Sequence, residues 1–141
     1  MEPEDVDAEL ERSVPAELGT KHMEESVDRE VLARLRRLQG EGDPDIVAEL
    51  TGMFLKDSRS RLEAVEEALQ KGDAPAVERA AHALKGGSGS MGARGMSGLC
   101  AQLEDLGASV DLSRAPELLR RIREELGRVE RAFEAEVSGD R

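Results

Sequence analysis

One histidine in this sequence stands among neighbours that reactive chemistry would select. The segment from Ala80 to Ala93 places Lys85 three residues after His82, with Gly86 and Gly89 four and seven after it. On an α-helix those spacings share one face, so the lysine and the two glycines surround the imidazole and nothing bulky stands over it. Glycine inside a helix costs about 1 kcal/mol relative to alanine. A segment carrying Gly86, Gly87 and Gly89 therefore gives up helix stability, and access to the ring is the purpose that explains it. An imidazole on a bare shelf beside a cation suits a group that another macromolecule must reach and that must carry an anion, phosphoryl above all. With an ordinary pKa of about 6.5, imidazole is mostly neutral at pH 7 and offers a ring-nitrogen lone pair without a dedicated base.

The other reactive side chains point to no competing chemistry. Cys100 is the only cysteine, which excludes an internal disulfide, and its neighbours Leu99 and Leu103 mark it as a core thiol. No His or Cys lies four residues from His82 or Cys100, so no metal site is expected. His22 has no supporting motif. There is no Gly-Lys-Ser/Thr phosphate loop and no carboxylate cluster for Mg²⁺, so ATP should not bind and the chain reads as a carrier, not an enzyme. On the same helix side Lys85 is the cation placed to steady a phosphoryl oxygen, with pairing to Glu78 as its plain structural role. Arg79 and Arg94 add positive potential nearby.

The run His82-Ala83-Leu84-Lys85-Gly86-Gly87-Ser88-Gly89-Ser90-Met91-Gly92-Ala93, followed by Leu99-Cys100-Ala101-Gln102-Leu103-Glu104, resembles the signature of histidine-containing phosphotransfer (HPt) domains of two-component phosphorelays. A weaker resemblance extends from about Val27 to Val137. It implies phosphorylation of His82 at Nε2, a polar Glu104 near the histidine, and exchange with the aspartate of a response-regulator receiver domain or with a histidine kinase. No cofactor is implied for this chain, Mg²⁺ being supplied by the receiver. Departures are Gly87, where serine is common, and the additional Gly95 and Gly98. Lys-Gly-Gly-Ser-Gly also occurs in the phosphoacceptor module of chemotaxis-type histidine kinases, although Gly92-Ala93 favours the stand-alone type. A third reading, from a different class, is a helical adaptor that sequesters a receiver without carrying phosphate.

Positioning that histidine requires helices. At 141 residues the chain suits one domain with its own core. Residues 1–25 hold nine acids against Arg12 and Lys21, a net of −7 of the total −11, and read as an acidic mobile tail. Val6, Leu10 and Val14 could form a docking turn within it. Residues 26–138 read as an all-α antiparallel four-helix bundle with a short N-terminal lid helix. Asp28 caps the lid, whose Val31, Leu32, Leu35 and Leu38 share a face ending at Gly40. Asp43-Pro44 opens a long helix with Val47, Leu50, Phe54, Leu62, Val65 and Leu69 inward, stopping at Gly72. Asp73 caps the histidine-bearing helix, with Val77, Ala81, Leu84, Ser88 and Met91 toward the core and His82 about 100° away. Gly92 reads as a turn or a close packing point. A fourth helix presents Met96, Leu99, Leu103, Leu106 and Val110, with Gly107 fraying its end. The fifth opens at Ser113 and Pro116, repeats Leu119, Ile122, Leu126, Val129 and Phe133, and ends before Gly139.

An acidic chain with two Phe, no Trp and no Tyr lacks the field and stacking platforms of a nucleic-acid binder. It also has no run of eighteen apolar residues and no secretory signal, so a cytoplasmic monomer off the membrane is expected.

Overall fold

In the computed structural model, residues 26–38 and 45–139 are described, with side chains to residue 137. They form α1 (Arg29–Leu38), α2 (Ile46–Lys71), α3 (Ala74–Ser90), α4 (Arg94–Ala108) and α5 (Ala115–Gly139), with no strand among them. Helices α2 to α5 make the bundle and α1 lies across one end. The acidic segment 1–25, His22, Gly40 and the Asp43-Pro44 pair lie outside the described residues.

Three helix ends in the bundle close in the same way, and these closures set the antiparallel order. At the end of α2, Gly72 takes φ +66° while its N–H donates to Leu69 O at 3.2 Å and the Asp73 N–H donates to Ala68 O at 2.9 Å. Left-handed backbone at this position satisfies the last helical carbonyls. Asp73 then accepts from Ala76 N at 3.1 Å and starts α3, as its sequence position implied. Gly92 (φ +79°) closes α3 with bonds from Gly92 N to Gly89 O and from Ala93 N to Ser88 O. The third closure, after α4, uses Val110 at φ +58°, with Val110 N donating to Gly107 O and Asp111 N to Leu106 O. Val110 is therefore not part of the apolar face of α4; the chain has left the helix, and its side chain is 75% exposed.

The core consists of the inward stripes. Val77, Ala81, Leu84 and Ser88 of α3 and Met91 just after it are all buried, as are Leu119, Ile122, Leu126, Val129 and Phe133 of α5. Ser88 is tolerated there because its Oγ donates to Leu84 O at 2.6 Å within its own helix. Phe54 of α2 meets Phe133 edge to face, with centroids 5.9 Å apart at 79°. On α4 the buried stripe is Met96, Cys100, Leu103 and Gly107, so Cys100 belongs to the core itself.

Other expectations are corrected at element ends. Among the described residues the cap of α2 is Asp45, which accepts from Ala48 N at 3.1 Å. Asp43 and Asp45 offer the same capping chemistry two residues apart, and Asp45 is the one whose carboxylate meets the orphan Ala48 donor. Ser113 does not cap α5; its N–H and Oγ both donate to Asp111 Oδ1, and the helix begins at Ala115. Gly139 is the last residue of α5 and does not lie past it.

The lid is tied at both ends. Asp28 accepts from Glu30 N through its side chain, as a cap should. Its backbone N–H donates to Gly92 O at 2.8 Å, and its carboxylate pairs with Arg94 at 2.7 Å. A Cβ on Gly92 would stand 3.1 Å from both Asp28 O and Val31 Cβ, so glycine is required here for the approach as well as for the turn. At the far end Arg36 donates to Glu136 Oε1 and to its carbonyl, each at 2.8 Å. Leu32 is the lid residue sealed into the core, whereas Leu38 is 77% exposed and does not share that burial.

Candidate functional site

The site is assembled where α3 and α4 run side by side in opposite directions. Three cross-helix contacts mark the register: Gly107 against Glu78, Glu104 against His82, and Ser97 against the carbonyl of Lys85. At Gly107 the helices come so close that a Cβ would lie 2.8 Å from the Glu78 backbone nitrogen. Gly107 is buried in this contact and does not fray the helix end. Ser97 Oγ donates to Lys85 O at 3.0 Å, pinning α4 to the backbone of the lysine.

Between these two contacts, Glu104 reaches both candidate residues of α3. One carboxylate oxygen, Oε2, lies 2.7 Å from His82 Nδ1, and the other, Oε1, lies 2.6 Å from Lys85 Nζ. The carboxylate side chain is only 20% exposed, while the imidazole is 68% exposed. Hydrogen bonds from Lys85 first, then from His82, hold the Glu104 carboxyl below the ordinary carboxylate range of about 4.5. An ionised carboxylate only accepts, so Nδ1 must donate, and a neutral ring held this way keeps its lone pair on Nε2. No described residue hydrogen-bonds to Nε2. Glu104 thus orients the ring with Nδ1 as the donor.

The expected shelf is present. Gly86 and Gly89 are exposed beside the histidine; a Cβ on Gly86 would meet nothing within 4 Å, and one on Gly89 would make only ordinary contact with Ser97 Oγ at 3.5 Å. Internal packing therefore does not require glycine at either position. Lys85 pairs with Glu104 and not with Glu78. Arg94 belongs to the lid through Asp28, so it does not serve the histidine, and Arg79 makes no bond to the site. Ser97 and Gly107 were missed by sequence reasoning. Ser97, seven residues before Glu104, was findable as the same α4 face two turns earlier.

Cys100 is completely buried, and desolvation pushes its thiol up to about 12. Among the described residues no group of three or more His, Cys, Asp or Glu side chains is placed to hold a metal ion.

Comparison with known proteins extends this geometry. The Hpt domain model matches residues 49–132, which run from the first turn of α2 into the later turns of α5. The histidine-containing phosphotransfer protein 5 of Arabidopsis thaliana is 30% identical over 101 residues, 70% of this chain and 64% of that protein. The chain thus spans under two thirds of that relative's length. The crystal structure of histidine-containing phosphotransfer protein B (HptB) from Pseudomonas aeruginosa PAO1 superposes with a TM-score of 0.72 at 36% identity, covering 80% of this chain and 95% of that one.

Proposed function

This chain belongs to the Hpt domain family, and from that premise we propose that it is a histidine phosphotransfer protein in which His82 takes up a phosphoryl group and relays it to or from a receiver-domain aspartate. The observation that carries the reading is the asymmetry of the ring: Nδ1 is engaged by Glu104 at 2.7 Å, while no described residue bonds to Nε2 on a 68% exposed side chain.

In the forward step the Nε2 lone pair attacks the phosphorus of an aspartyl phosphate. The N–P bond forms as the P–O bond to the aspartate breaks, and the electron pair leaves on the carboxylate. The ring becomes positive as the new bond forms, and Glu104, already hydrogen-bonded to the Nδ1 proton, stabilises that charge. Such transfers depend mainly on positioning and charge stabilisation. Lys85, at 37% exposure and one turn along from His82, turns from Glu104 toward a phosphoryl oxygen. The reverse step returns the group by the same path. The receiver brings Mg²⁺ and its own carboxylates, so this chain acts as a carrier in the cytoplasm with its partners, not as an enzyme. No helix among the described residues is long and apolar enough to cross a membrane.

Incubation with a phosphorylated receiver should place an acid-labile, base-stable label on the wild type and none on His82→Gln. Undiminished label on that variant would refute the assignment. A Glu104→Gln variant should still be labelled, but more slowly, since its amide no longer supports the charged ring.

A further inference from the structure

A groove between the start of α1 and the last turns of α5 takes no part in the histidine chemistry, and its charge is unlike that of the rest of the domain. Ser26, Leu32 and Ala132 line it, together with Arg29, Arg128, Arg131 and Glu136. Glu136 is already engaged by Arg36 at 2.8 Å and more loosely by Arg29 at 3.8 Å. Arg128 is held by Glu125 at 2.7 Å. Arg131 is exposed and makes neither an ion pair nor a hydrogen bond among the described residues. The groove therefore retains positive charge, although residues 26–141 as a whole carry a net of −4.

Upstream of this groove lies the most acidic stretch of the chain. Ser26 is one of the residues lining the groove, and Glu25 and Glu24 immediately precede it. With nine acids against two basic residues, segment 1–25 has a net charge of −7. No linker separates these carboxylates from the groove, so their effective concentration there is that of a short tether. The volume, about 310 Å³, admits a few side chains of an extended segment but not a globular surface.

We propose that this groove is the docking site for the acidic segment 1–25 of the same chain, its carboxylates seated against Arg29, Arg128 and Arg131. Because the contacts are exposed ion pairs, docking depends on salt: it is strongest at low ionic strength and released as screening shortens to a few ångströms.

The test is ¹⁵N NMR on the full chain at about 20 mM and about 0.5 M salt, a range over which the screening length falls severalfold. At low salt, neutralising the nearest acids (Glu24→Gln with Glu25→Gln) should shift the amides of residues 26–29 and 128–135. Arg131→Glu should raise the signal intensities of residues 1–25 to their high-salt values. Arg131 makes no ion pair or hydrogen bond among the described residues, so its reversal breaks none of those, and the paired glutamine variant changes no described residue. The proposal is overturned if residues 1–25 give the same intensities at both salts and the 128–135 amides ignore the tail substitutions. It is equally overturned if those amides move with protein concentration instead, which would make the groove a contact between two copies.

Discussion

A single carboxylate joins the histidine to the lysine. Glu104 grips His82 and Lys85 with its two oxygens, and the lysine hydrogen bond contributes most to lowering its pKa, the histidine bond next. The lowered folded value fixes the direction of the pH effect: the ionised grip is complete above the ordinary 4.5 and is lost as pH falls through the lower, folded midpoint. A ¹³C titration of the Glu104 carboxyl should give a midpoint below 4.5, and Lys85→Met should raise it more than His82→Ala does. A wild-type midpoint at or above 4.5 would mean the grip is absent in solution. His82, Lys85 and the shelf glycines were legible in the sequence because they lie on one helix, where spacing fixes direction. Glu104 is 22 residues away, and only the register between α3 and α4 brings it to the ring; helical periodicity carries no information about that register, and the resemblance supplied it.

Between elements, the small residues divide into two kinds that look identical in sequence. Gly107 allows α3 and α4 to approach: adding a methyl there drives it to 2.8 Å from backbone, so Gly107→Ala should destabilise the fold by about 1–3 kcal/mol, as overpacking does, and loosen the Glu104 contact to His82. Gly86 faces open space, so Gly86→Ala should stabilise the domain by about 1 kcal/mol through helix propensity while slowing phosphoryl exchange with a receiver. Urea unfolding of both variants, with transfer rates measured alongside, separates the two roles; a Gly86→Ala protein with unchanged exchange would remove the access argument. Every residue that apolar spacing placed on the inward faces of α3 and α5 is buried, although it left out Ala74 on α3 and Ala115, Leu118 and Glu125 on α5. On α4 it failed, because it passed over Gly107, which packs without being apolar, and included Val110, which is apolar but lies beyond the helix end. Val110 occupies the left-handed position that glycine fills at Gly72 and Gly92, and sequence patterns gave no warning of a β-branched residue there.

At the scale of the whole molecule the bundle is a scaffold that keeps one thiol silent and one imidazole available. Cys100 sits at 0% exposure with its thiol pushed up to about 12, so alkylation can proceed only through opening of the bundle. Iodoacetamide should modify the native chain about 10³-fold or more slowly than the urea-unfolded chain, the ratio expected of an ordinary domain stability. Prompt labelling of the folded protein would mean that the core is looser than its packing indicates. The clasp of Glu104 on His82 and Lys85 has one further consequence. Empty, with the ring neutral, the trio balances to zero, one anion against one cation. Loaded as proposed above, it gains a phosphoryl of roughly −1.5 to −2 on a ring that has itself turned positive, so the trio moves from zero to about −0.5 to −1, and the lone ammonium must serve two claimants. The occupied domain is thus electrostatically ill at ease, and the sign of that imbalance favours handing the cargo to whichever visitor arrives bearing positive charge.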